Sequence, residues 1–128
     1  MHYCITVLAT LLTLTGLSFA ADLPSANEAA IHAALDSGRP TVADFGARTC
    51  IPCKKMAPIL AELDREYRGK ANVLFTDVHE AKKLAVAYRV QMIPTQIFFD
   101  AKGKEVTRHI GFMDKAAILK ELKAAGLK

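Results

Sequence analysis

Hydrophobic positions recur along the chain at two alternating spacings, one helical and one extended, and their order sets out an architecture. Ser25 followed three residues later by Glu28 is a capping-box pattern, and Ile31, Ala34 and Leu35 follow at helical spacing. A helix is therefore predicted from about residue 26 to 36. Turn chemistry at Ser37-Gly38-Arg39-Pro40 leads into a short apolar run from Thr41 to Phe45, the pattern of a buried strand. Met56, Ile59, Leu60, Leu63 and Tyr67 then form the stripe of an amphipathic helix, in which Pro58 removes one backbone donor and predicts a kink. Arg68-Gly69-Lys70 ends it, Val73 to Val78 reads as a second strand, and Ala81, Leu84, Ala85 and Tyr88 mark a further helix. Thr95 to Asp100 and Glu105 to Ile110 read as a hairpin around the turn Ala101-Lys102-Gly103. Asp114 is placed to cap a last helix carrying Ile118, Leu119, Leu122 and Ala125 on one face and ending before Gly126. The order α, β, α, β, α, β, β, α predicts an α/β fold, a central mixed β-sheet flanked by helices on both faces. One domain covers residues 21–128, without repeat or linker.

The first twenty residues stand outside that pattern. Met1 to Ala20 contain no Lys, Arg, Asp or Glu, and Ile5 to Leu17 is apolar apart from Thr and Gly, as in the hydrophobic region of a signal peptide. Ser18 and Ala20 flank Phe19 in a small-x-small pattern, which predicts cleavage after Ala20, a mature start at Ala21 and a periplasmic or secreted protein. The segment before the apolar run offers only His2 as a cation, so an uncleaved membrane anchor is the competing reading. Cys4 stands at the head of the apolar run rather than after the cleavage site, which argues against a lipoprotein. In the rest of the chain basic and acidic residues are interspersed. The net charge of +4 therefore forms no polybasic run and argues against nucleic-acid binding and against membrane binding by charge.

Removing the leader leaves two cysteines, both in Cys50-Ile51-Pro52-Cys53, where a predicted strand ends and a helix begins. There the first sulfur faces the free amides and positive dipole end of the helix. Arg48, Lys54 and Lys55 add positive charge, and both effects favour a thiolate at Cys50. Two intervening residues let Cys53 close a disulfide. A structural disulfide or half of a metal site are the alternatives. Zinc needs four ligands, and His32, His79 and His109 supply no paired spacing; haem attachment needs a His where Lys54 stands. A redox pair with no metal and no cofactor is the expectation. His79 and His109 read as solvated, Phe98 and Phe99 as sheet core, and Met56 and Met92 as core or as the lining of an apolar substrate groove.

Several matches together resemble the thioredoxin family, over nearly all of the chain after the leader. Ala43-Asp44-Phe45 is similar to that family's strand with its buried acid, and Cys53-Lys54 with Ala57-Pro58-Ile59-Leu60 to its kinked active-site helix. Tyr88, Val90 and Ile93-Pro94-Thr95 resemble the approach to its cis-proline loop, and Gly103 and Gly111 fall at its later glycines. The resemblance implies a thioredoxin-like fold and a thiol:disulfide oxidoreductase, with Cys50 attacking a substrate disulfide and Cys53 resolving the mixed disulfide. It implies that Asp44 lies buried beneath the pair as proton acceptor for Cys53. It also implies that Pro94 is cis and packed against the disulfide, leaving the backbone of Ile93 to pair with an extended substrate. Gly111 would keep that groove open, and Thr49, Ile51 and Pro52 would complete the substrate surface. The chain departs from the family in having Thr49 and Gly46 in place of tryptophans, Phe75 in place of a lysine near the acid, and Ile51 in place of the motif's glycine. Asp22-Leu23 leaves little room for the family's first strand.

The combined expectation is a monomeric extracytoplasmic reductase of protein disulfides, recharged by a membrane thiol:disulfide electron donor. Strong oxidants of this fold carry a His between the cysteines that stabilises the reduced form, and Ile51-Pro52 offers none. A disulfide oxidant or isomerase stays open, because exported compartments are oxidising. So does a binding module that holds a metal or chaperones a partner through the cysteine pair.

Overall fold

In the computed structural model, which describes residues 21–128, Thr41–Gly46 (β1) is buried along its whole length because it lies inside the sheet and is covered on both faces. The leader and Cys4 lie outside the described residues. The remaining elements are α1 (Glu28–Leu35), α2 (Ile51–Glu66), β2 (Asn72–Asp77), α3 (Lys82–Ala87), β3 (Thr95–Phe99), β4 (Glu105–Ile110) and α4 (Lys115–Ala124). Their order is the one expected from the hydrophobic spacing. The sheet runs β2-β1-β3-β4, with β1 parallel to β2 and antiparallel to β3, and β3 antiparallel to β4, so it is mixed.

The two-residue alternation of the strands divides the core. Val42 and Phe98 pack with Met56, Leu60 and Leu63 of α2 and Ile118 and Leu122 of α4. Ala43, Phe45, Ile97 and Phe99 pack with Ile31 of α1 and Leu84 of α3. Phe98 and Phe99 are thus core on opposite faces of the sheet, and Met56 belongs to the core rather than to a groove. Asp44 is in phase with Val42, which puts it on the face covered by α2.

The capping box at Ser25 and Glu28 does not form. Asn27 caps α1, its Oδ1 accepting from the amide of Ala30 at 2.9 Å. Ser25 is held extended against the sheet edge: it makes an isolated parallel bridge to Phe75, and its Oγ accepts from the Asp77 amide at 2.9 Å. A residue committed to a sheet edge cannot also turn into a helix, so the cap falls two residues later. This bridge is what the short stretch after Ala21 contributes to the sheet. α2 continues across Pro58, whose missing N–H leaves the Lys54 carbonyl without its helical partner; both residues are exposed, so water can supply one. Asp114 caps α4 as expected, accepting from the Ala117 amide at 2.8 Å. Among the described residues no helix is long and apolar enough to cross a membrane.

Candidate active site

The carboxyl-terminal end of β1 delivers the chain to the head of α2, where Cys50 is the N-cap residue. Its backbone is still extended, and its Sγ accepts from the amide of Cys53 at 3.4 Å. Pro52 stands in the first turn, where a helix needs no amide donor. Cys50 and Cys53 form a disulfide across a Cα separation of 5.2 Å. The two sulfurs sit in different surroundings, since Cys50 is half-buried and Cys53 is buried against the sheet.

Room for Cys53 comes from Gly46. A Cβ there would stand 3.1 Å from Cys53 Sγ and 3.3 Å from the edge of the Phe75 ring, so a side chain would crowd both. The two departures at Gly46 and Phe75 are therefore one packing solution. The guanidinium of Arg48 lies over the Phe75 ring at 4.4 Å and donates to the Leu23 carbonyl at 2.6 Å, while its amide donates to Asp77 Oδ2 at 3.2 Å. The Arg48 head group is held by two uncharged partners, the Leu23 carbonyl and the Phe75 ring, and it lines the same cavity as Cys53. A small cavity of about 100 Å³ remains between Asp22, Arg48, Cys53 and Phe75.

Asp44 is wholly buried. It shares its face of β1 with Gly46, one pleat repeat or about 7 Å further along, and Gly46 is where Cys53 packs. Its Oδ1 accepts from Gln96 Nε2 at 2.9 Å, and its Oδ2 has no partner among the described residues. Burial pushes this carboxyl up from the usual 3.8 to about 6, an effect moderated by the Gln96 hydrogen bond. Gln96 escaped the sequence reading. The available signal was one long polar side chain in the otherwise apolar run Gln96-Ile97-Phe98-Phe99.

The Ile93–Pro94 peptide is cis. Its loop is tied down by Thr95 Oγ1 donating to the Met92 carbonyl at 2.6 Å and by the Gly111 amide donating to the Pro94 carbonyl at 2.8 Å. Gly111 has φ +104°, a conformation that favours glycine whatever the space around it. Ile93 is half-buried and makes no backbone hydrogen bond within the described residues. Thr49 is exposed and Pro52 half-buried, while Ile51 is 70% exposed and Met92 62% exposed, large apolar side chains left in water beside the disulfide. Met92 is thus a surface residue, unlike Met56. Phe112, next to Gly111, is also exposed and was not singled out from the sequence. His79 and His109 are exposed, as read.

A disulfide that only staples a fold gains nothing from a helix head, an accessible sulfur and a buried acid on the strand face where its partner packs. Those features serve exchange, and they place the protein among the thiol:disulfide oxidoreductases. The comparison with known proteins agrees. The thioredoxin family model matches residues 23–124. Thioredoxin C-2 of Corynebacterium nephridii is 35% identical over 103 residues, 80% of this chain and 84% of that protein. A bifunctional thioredoxin reductase/thioredoxin of Mycobacterium leprae is 40% identical over 88 residues, 69% of this chain but 19% of that longer protein. Among solved structures, a mutant thioredoxin from Halobacterium salinarum superposes with a TM-score of 0.71 at 28% identity, covering 80% of this chain and 88% of that one. The chain belongs to the thioredoxin family, and it is an enzyme, a protein-disulfide reductase.

Proposed function

We propose that this protein reduces disulfides of other proteins outside the cytoplasm and is recharged by a thiol:disulfide electron donor in the membrane. The observation that carries the chemistry is the asymmetry of the pair, with Cys50 accessible at the helix head and Cys53 buried. In the reduced protein the Cys53 amide that now meets Cys50 Sγ stabilises a thiolate there. That thiolate attacks one sulfur of a substrate disulfide; the substrate S–S bond breaks, and its other sulfur leaves and takes up a proton. Cys53 then gives its proton to Asp44, directly or through water, and attacks Cys50 Sγ. The second substrate thiol departs, and the protein is left with the Cys50–Cys53 disulfide, oxidised by two electrons.

Ile93 and Gly111 border the groove for an extended substrate backbone, and the exposed Thr49 and Ile51 with Pro52 and Met92 supply its apolar flank. Each turnover consumes two electrons, so a dithiol must return them. An exported protein meets such a donor at the membrane, and the uncharged apolar leader supports export. The enzyme works as a monomer on this reading. The test is a pair of variants of the full chain expressed with its leader. Cys53→Ser should trap mixed disulfides with extracytoplasmic proteins on chains that begin at Ala21, and Cys50→Ser should trap none. Equal trapping by both would overturn the assignment of attacker and resolver. Partners drawn from the cytoplasm would overturn the location.

A further inference from the structure

We propose that Gln96 is the positioning residue of the resolving step: its side-chain amide grips Asp44 by Oδ1 and leaves Oδ2 as the oxygen that takes the Cys53 proton. The inference rests on the exchange reaction proposed above, with Asp44 as proton acceptor. Gln96 stands directly opposite Asp44 across β1 and β3, and both are wholly buried. Its Nε2 is 2.9 Å from Asp44 Oδ1 and 3.2 Å from Met56 Sδ. Met56 lies one turn beyond Cys53 on the buried face of α2, so the amide is wedged between the acid and the helix that carries the resolving sulfur.

Packing alone does not call for glutamine here. A buried amide is unfavourable unless its groups are paired, and the neighbouring Ile97 and Phe98 show that this strand accepts apolar side chains. The polarity of Gln96 is directed at Asp44. Gln96 Oε1 and Asp44 Oδ2 are each without a partner among the described residues, so the pair keeps one acceptor in reserve on each side. An amide suits both charge states: Nε2–H donates to the carboxylate, and once Asp44 holds the proton Oε1 can accept it after the amide turns. A purely cationic neighbour would hold the acid ionised. Beside Asp44 lie Phe75 of β2 and Gln96 of β3, in register across the sheet, and Met56 of α2, which meets the Gln96 amide; none of these titrates, and Cys53 packs one pleat repeat further along β1, at Gly46.

In the step itself Cys53 loses its proton to Asp44 Oδ2, directly or through water, and its sulfur forms the bond to Cys50 Sγ. The bond from Cys50 to the substrate sulfur breaks, and the electron pair leaves with that sulfur. The experiment starts from a preformed mixed disulfide of Cys50 with a chromogenic thiol and follows its release from pH 5 to 9. It compares the wild type, Gln96→Met, Asp44→Asn and the double variant. Methionine keeps the length and apolar contacts without the donor. Losing a donor that favours the carboxylate raises the titration of Asp44, so the rise of rate with pH should move up by about one unit. Release at pH 6 should slow about fivefold. In the Asp44→Asn background the same change should alter the rate less than about twofold. Equal slowing in both backgrounds, or an unmoved pH profile, would make Gln96 a packing residue and overturn the proposal. If Asp44→Asn itself left release unchanged at every pH, the acceptor role of Asp44 would fail and the proposal with it. Gln96→Leu, read in the same way, serves if the methionine variant does not fold.

Discussion

Asp44 is a carboxyl held where charge is unwelcome, and that has a measurable effect on folding. Its pKa is raised from 3.8 to about 6 in the fold, so the folded chain binds a proton that the unfolded chain has already released. Stability from this group is full below about pH 4 and is lost as pH rises through about 6; beyond that, the buried charge disfavours the fold by about 3 kcal/mol. Asp44→Asn retains an acceptor for Gln96 Nε2 and removes the charge. It should stabilise the protein by about 1–3 kcal/mol at pH 8 and by much less at pH 4, read as the shift in thermal midpoint at each pH. Equal midpoints for the two proteins at both pH values would contradict the buried charge. Asp44 was legible in the sequence through the resemblance of Ala43-Asp44-Phe45 to the strand of the thioredoxin family that carries a buried acid. Gln96 was not: its meaning depends on the β1–β3 register, which brings together residues 52 positions apart. The loss of a side chain at Gly46 was visible, but its reason, the room taken by Cys53 and Phe75, exists only in three dimensions.

Element order followed from periodicity alone, and element ends did not, because ends are set by side chains that reach across the structure. β2 starts at Asn72 because its Nδ2 donates to the Ala34 carbonyl, Ser37 Oγ and Thr41 Oγ1, binding the strand to the end of α1 and the start of β1. α1 starts where Asn27 caps it, while the local match at Ser25 and Glu28 is overridden by the sheet edge. The two readings of that helix start separate cleanly in solution. Asn27→Ala should lower stability by about 1 kcal/mol in urea denaturation. Glu28→Ala should change it little, since among the described residues Glu28 makes one ion pair, an exposed one with His32 at 3.9 Å. A larger loss at Glu28 than at Asn27 would restore the capping box.

For the molecule as a whole, the working direction of exchange is a comparison of two folded states, and the equilibrium reduction potential measures it. The helix head favours the reduced form through the Cys50 thiolate, but no histidine between the cysteines adds to it. A potential at or below about −240 mV is expected from titration against dithiothreitol and glutathione buffers; a value between about −120 and −180 mV would make the protein an oxidant or isomerase in its compartment. The fold class was legible from the sequence because alternating helical and extended spacings admit few layer architectures. The clasp of Arg48 on Leu23 and Phe75 was not, because nothing local links those three positions. That clasp fixes where the chain joins the fold, with Asp22 lining the same cavity as Cys53. Lys128, beside Gly38 and Pro40, sits instead at the end of the sheet where β1 begins, the far end from the sulfurs. An affinity handle, dye or surface tether placed ahead of Asp22 would therefore shade the redox face from bulky clients, and one placed after Lys128 would leave it open.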